Sequence, residues 1–282
     1  MPRRVAFALL GAATGVVLLA LTWFAAFHIG IVERADASVL RGFVGLQRGP
    51  VDWFAIKIAK LCDPKPYVCL GAVVVITALI RRRGRVAVAA AGIMLAANAT
   101  TQILKPLLGQ AHPVAVYVAG MNVIRAGSWP SGHATAAMSL ALCSVLAVPA
   151  RWRPFVAAAG AAFAVAVSFS FLTLMWHYPS DVLGGFLVAA TWTLIGAAVL
   201  WKVDARSPRP TSVRLTAREA LGPPVAAALG GLALVGLVAL ARPHSVVAYA
   251  RAHTVFVIGA GAIGVLGFAL ATGLMLATTL RR

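Results

Sequence analysis

His177 and Asp181 stand four residues apart in a chain that holds 7 acidic residues among 282. A carboxylate beside an imidazole fixes its tautomer and raises the basicity of its second nitrogen. An imidazole held in that way can attack phosphorus and form a phosphohistidine. Positions i and i+4 share a helix face, but Pro179 disfavours helix at Tyr178, so the pair straddles a helix start. From these residues alone a structural ion pair at a helix end is an equally good reading, because such networks also perturb titration.

A second histidine closes the run Pro130-Ser131-Gly132-His133. Pro130 and Gly132 permit a tight turn, and a long apolar run begins at Ala134. The backbone N–H groups of Ser131, Gly132 and His133 would then point out of a helix N-terminus, an anion site made of backbone and dipole. His133 is placed to protonate a leaving alkoxide. The plainer alternative is a Ser N-cap beside an incidental histidine. Lys105 ends another apolar run on the same side, where a lysine can simply snorkel to lipid head groups. Arg125, just before the Pro130 turn, is either a solvated loop residue or one more cation for an anion.

These segments resemble the type-2 phosphatidic acid phosphatase superfamily. Its pattern is Lys, six residues, Arg-Pro; then Pro-Ser-Gly-His; then Ser-Arg, five residues, His, three residues, Asp. The matching residues are Lys105 with His112-Pro113, then Pro130 to His133, then Ser170-Phe171 with His177 and Asp181. The resemblance covers roughly residues 86–201. It implies that His177 is the nucleophile, that Asp181 orients it and that His133 is the general acid. It also implies that Lys105, Ser131, Gly132, His112 and Ser170 bind the substrate phosphate, with no metal or cofactor. Two motif arginines are replaced, by His112 and Phe171, and neither replacement can clamp two oxygens as Arg does. One charge–charge contact near 4 Å is worth about 4 kcal/mol at an effective dielectric of 20. The loss therefore weighs most on a dianionic monoester, and Arg125 is the candidate substitute.

The elements that must carry these residues are membrane helices. The chain is 61% hydrophobic and 11% charged with mean hydropathy +0.90, where a soluble domain carries about a quarter charged residues. The apolar runs do not alternate as barrel strands do, and most are near the twenty residues that a helix needs to cross a bilayer. Eight spans are expected: Val5–Ile31, Tyr67–Ile80, Val86–Leu104, Ala134–Ala150, Phe155–Trp176, Val182–Trp201, Val225–Ala241 and Val255–Leu280. The first is too long for a signal-peptide core. With eight spans the basic clusters fall on one side: Arg3 and Arg4, Arg81 to Arg85, Arg151 and Arg153, Lys202 to Arg218, and Arg281 and Arg282. That side is cytoplasmic by the positive-inside rule, with both termini. The histidine motifs then face the extracytoplasmic side. The net charge of +18 reflects these loops and anionic lipid, not nucleic acid.

The expected fold is an all-α polytopic bundle, with a six-helix phosphatase-like core in residues 1–202. A cytoplasmic linker follows over 203–223 and a C-terminal transmembrane pair over 224–282. Residues Ala37–Leu61 read either as an amphipathic helix in the interface or as a connecting loop with a short helix. Cys143 reads as core, and Cys62 and Cys69 fit no metal spacing. The expected activity is phosphoryl transfer on a lipid-linked phosphate. The alternatives are a phosphodiester-cleaving head-group transferase and a catalytically silent lipid-binding protein. Homo-oligomerisation is left open.

Overall fold

The structure is a computed structural model that describes residues 3–118, 123–206 and 215–279. Of the basic residues that set the expected orientation, Arg209, Arg214, Arg281 and Arg282 lie outside the described residues. Within them the chain is helical: α1 (Arg3–His28), α2 (Gly30–Val44), α3 (Gly49–Ala59), α4 (Pro64–Ile80), α5 (Gly84–Leu108), α6 (Gly132–Ala147), α7 (Arg153–Thr173), α8 (Pro179–Arg206), α9 (Ala217–Ala241), α10 (Pro243–Ala252) and α11 (Thr254–Thr279). Six of these helices are long and apolar enough to cross a membrane, and seven spans result if the bent pair Gly49–Cys62 and Pro64–Ile80 is counted as one. The protein is a multi-pass membrane bundle.

Helix α6 is the short one, with 16 residues. At 1.5 Å per residue it is about 24 Å long, less than the hydrocarbon thickness of about 30 Å. It needs no lipid contact, because α5, α7, α8 and α11 surround it, and Ala134 through Cys143 are buried without a break. This interior helix stands where a full span over Ala134–Ala150 was expected. It brings its N-terminus, with Ser131 to His133, to the inner surface of the bundle.

The N-terminal third departs from the expected spans. Helix α1 stops at His28, and extended backbone at Ile29 (φ −118°, ψ 99°) starts α2. The segment Ala37–Leu61 is not one interfacial helix, nor a loop with a single short helix, but parts of two helices joined at residues 45–48. Its first part lies in α2, which buries Ala37, Leu40 and Phe43 against neighbours that include α7, α8 and α11. Its second part, α3, runs through a short 3-10 turn (Lys60–Cys62) into α4, with a bend of 58°. Pro64 causes the break by forcing Asp63 into extended backbone, at φ −60° and ψ 156°.

Helix α9 begins earlier than expected, and α11 packs against the other helices. Helix α9 starts inside the expected linker, because Thr216 and Glu219 form a capping box at its N-terminus. It carries Pro223 and Pro224 within its first turns and leaves most of its length facing outward. Helix α11 packs on α2, α6 and α7 and buries Ile263 and Met275 completely. It is therefore part of the bundle core.

The site depends on a close crossing of α8 over the start of α6. A Cβ on Gly185 would lie 2.7 Å from the Ser131 carbonyl oxygen and 2.8 Å from Ala134 Cβ. Only glycine lets the two backbones approach so far.

Candidate active site

The ends of α1, α5, α6 and α8, with the loops beside them, meet at one end of the bundle. The chain turns from α7 to α8 through Met175, which takes left-handed backbone (φ 58°). This sets Trp176 and His177 just ahead of α8, with Asp181 in its first turn. Asp181 is fully buried. Its Oδ2 accepts from His177 Nδ1–H at 3.1 Å and from the Tyr178 backbone N–H at 3.0 Å. With Nδ1 donating, Nε2 carries the lone pair. His177 lines a cavity of about 380 Å³ together with Lys105, Arg125, Gly127, Ser128 and Trp176.

That cavity lies under the loop that follows α5. The Gly127 N–H donates to the Gly109 carbonyl at 2.7 Å. Gly127 is left-handed (φ 85°), and a Cβ on Gly109 would lie 2.6 Å from Gly127 Cα. This pinch carries Arg125 and Ser128 back over Lys105. The Ser128 hydroxyl is buried and has no hydrogen-bond partner among the described residues. A Cβ on Gly132 would sit 3.8 Å from Lys105 Nζ, so the ammonium stands beside the start of α6.

The helix start is less open than the sequence suggests. Ser131 Oγ caps α6 by accepting from the Ala134 N–H at 3.3 Å. Its own N–H is committed to the Asp181 backbone carbonyl at 2.9 Å. Of the three amides expected to face an anion, those of Gly132 and His133 remain. The His133 ring lies 6.4 Å from the His177 ring, centroid to centroid. Its Nε2 is 3.1 Å from Asp63 Oδ1.

The two replaced arginine positions differ in kind. The Phe171 ring stands against both catalytic candidates, 5.2 Å from His177 and 6.0 Å from His133. His112 lies behind the nucleophile: its Nε2 is 3.1 Å from Asp181 Oδ1, and its side chain is 4% exposed. It stacks on Tyr178 at 3.8 Å. Its Nδ1 is 3.7 Å from Asp36 Oδ2, an ion-pair distance and too long for a hydrogen bond. Asp36 also accepts from the Ser180 N–H at 2.9 Å and from the Ser180 hydroxyl at 2.6 Å. Burial lifts the Asp36 carboxyl to about 6, against the Ser180 hydrogen bonds and His112, which act to lower it. Burial likewise raises the Tyr178 phenol, whose hydroxyl donates to the Val114 carbonyl.

The structure thus gathers His177, Asp181, His133, Lys105, Gly132 and Arg125 at one place. Ser170 is not among the cavity's lining residues; its hydroxyl donates to the Ala166 carbonyl at 2.7 Å, within its own helix. Asp36, Asp63 and Ser128 were not anticipated. The one available signal was the scarcity of acidic residues, which makes each carboxylate on the histidine side worth pairing with a histidine. No group of three or more His, Cys, Asp or Glu able to hold a metal occurs among the described residues.

The family model of the PAP2 superfamily matches residues 86–205. No curated protein matches the chain. Among solved structures, the fold is similar to that of a transmembrane PAP2 type phosphatidylglycerolphosphate phosphatase from Bacillus subtilis. The TM-score is 0.53 at 20% identity, covering 70% of this chain and 98% of that one. The residues matched by that family model carry His112, His133, His177 and Asp181.

Proposed function

We propose that this protein is a metal-independent lipid phosphatase that works through a phosphohistidine. The observation that carries the reading is the His177–Asp181 pair at 3.1 Å, opening on a cavity that also holds Lys105 and Arg125. His177 Nε2 attacks phosphorus, the bond from phosphorus to the lipid oxygen breaks, and His133 gives that oxygen a proton. Water then attacks the phosphohistidine with His133 as base, releasing phosphate and free His177. Lys105, Arg125 and the first amides of α6 stabilise charge that spreads over the phosphate oxygens. The membrane setting and the superfamily support a lipid-linked substrate. Connectivity puts the site at the opposite end of the bundle from Arg81 to Arg85 and Arg151, so the positive-inside rule supports an extracytoplasmic site.

A second reading, head-group transfer from a phosphodiester, is favoured by one observation. Neither replaced arginine position offers a cation to phosphate, since Phe171 is apolar and His112 is turned into carboxylates. The test is the purified protein in detergent against phosphatidate, phosphatidylglycerol phosphate, polyprenyl phosphates and phosphodiester lipids, with released phosphate and transferred products both measured. Phosphate release from a monoester supports the first reading. Transfer without release supports the second, and neither product from any lipid defeats both.

A further inference from the structure

Two carboxylates and two histidines form one buried chain: Asp36, His112, Asp181 and His177. The first member sits on α2, outside the PAP2-matched segment 86–205. His112 joins the carboxylates, with Nε2 at 3.1 Å from Asp181 Oδ1 and Nδ1 at 3.7 Å from Asp36 Oδ2. The ring is fixed in plane by Tyr178 on one side at 3.8 Å and by Phe27 at 4.6 Å.

The hydrogen-bonding inventory limits what His112 can do. Its Nε2 faces a carboxylate oxygen and must carry a proton to bond it. Its Nδ1 faces a second carboxylate. A bare Nδ1 lone pair against an ionised Asp36 would repel it, so a proton belongs in that gap, on Nδ1 or on Oδ2. In both states the Asp36–His112 pair is electrically neutral, and it still donates one N–H to Asp181. With both ring nitrogens directed at carboxylates and 4% of the side chain exposed, His112 has no atom left for phosphate.

Asp181 gains a fixed orientation from this arrangement. Its Oδ1 takes the His112 N–H, while Oδ2 takes His177 Nδ1–H and the Tyr178 amide. A carboxylate with donors on both oxygens cannot rotate without breaking one set, and a partner behind a catalytic ligand sets that ligand's geometry. Asp36 is itself anchored by both donors of Ser180, the residue immediately before Asp181. We propose that Asp36 and His112 are a positioning pair for the nucleophile, in which Asp36 holds His112 and His112 locks the Asp181 carboxylate so that Oδ2 stays on His177. A motif position that faces phosphate in the family pattern is here used behind the nucleophile. This inference rests on the phosphohistidine reading above.

The experiment uses the full-length protein in detergent, with dioctanoyl phosphatidic acid as probe and the screened monoester of highest turnover beside it. Asp36→Asn and His112→Gln should each lower kcat about 10- to 100-fold, the usual range for residues behind a catalytic group. KM should stay within about threefold, and single-turnover phosphoenzyme formation should fall in step with kcat. The double variant should lose no more than the worse single one, because the two residues act as a unit. Raised KM with retained kcat in His112→Gln would make His112 a phosphate ligand and overturn the proposal. Multiplying losses, or wild-type kcat in Asp36→Asn, would overturn it as well. Should either variant fail to fold, Ser180→Ala removes one donor from Asp36 and should lower kcat about threefold or more at constant KM; unchanged kcat there also overturns it. Turnover surviving in His177→Ala, or absent in wild type with every lipid phosphate, defeats the phosphohistidine reading itself. Wild-type turnover with an indifferent Asp36 defeats the positioning pair alone.

Discussion

His133 Nε2 lies 3.1 Å from Oδ1 of Asp63, a residue 70 positions earlier in the chain. Asp63 sits at the break that Pro64 imposes between α3 and α4. It faces Nε2 of His133, whereas Asp181 faces Nδ1 of His177, so each candidate catalytic imidazole has its own carboxylate but on opposite ring nitrogens. Asp63→Asn should therefore slow the step that needs a proton on the leaving oxygen. General acids contribute most when the leaving group is poor. The loss in kcat/KM should be about tenfold or more for an alkyl phosphate and small for p-nitrophenyl phosphate. Equal losses on both substrates would show that Asp63 does not serve proton transfer.

His177→Ala should abolish turnover, since His177 is the histidine that combines a carboxylate-bound nitrogen with an opening to the cavity. Acid-labile, base-stable phosphoenzyme should be trapped in wild type and be missing from the variant. Full activity in the variant would rule out the intermediate.

The apolar wall at Phe171 should set the preference between substrate charges. Phe171 touches both catalytic candidates, whereas His112 is held among carboxylates. Phe171→Arg should accordingly raise the monoester-to-diester ratio of kcat/KM, and adding His112→Arg should not raise it further. Arg125→Ala should cost more than the roughly 0.5 kcal/mol of an ordinary surface change, read as the change in kcat/KM. An unchanged ratio in Phe171→Arg would remove the main support for a diester substrate.

Stability should carry a mark of Asp36. Its carboxyl is raised from 3.8 to about 6 by burial, so between those values the native state binds more protons than the unfolded one. Stability from this group is then fully present below about pH 4 and is lost as pH rises through about 6. Thermal unfolding in detergent from pH 4 to 7 should show this fall in wild type and a flatter curve in Asp36→Asn. Parallel curves would mean that Asp36 does not titrate in this window.

Orientation is open to direct labelling. Single cysteines placed among Arg81 to Arg85 should react with a membrane-impermeant maleimide only after permeabilisation, while one at Arg125 should react in intact cells. The background has Cys62, Cys69 and Cys143 replaced, of which Cys69 is exposed. The reverse pattern would invert the topology.

What the sequence by itself determined is local. Apolar runs at spanning length specify membrane helices, since a backbone in lipid must satisfy its own hydrogen bonds. The Pro130–His133 turn and the His177–Asp181 spacing specify a capped helix start and an imidazole–carboxylate pair, because those partners are neighbours along the chain. Local breaks were harder to read: extended backbone at Ile29 and at Asp63 divided segments that hydropathy alone runs together or leaves unassigned. What only the tertiary structure decided is which distant groups meet. Asp36 reaches Ser180 across 144 positions, and His112 reaches Asp181 across 69. Nothing in a pairwise spacing marks such contacts, which follow from how α2 packs on α8 and how the loop after α5 is pinched back at Gly109 and Gly127. The buried interior enforces them: a carboxylate removed from water there must find donors, and packing brought those of Ser180 and His112 within reach of Asp36 and Asp181.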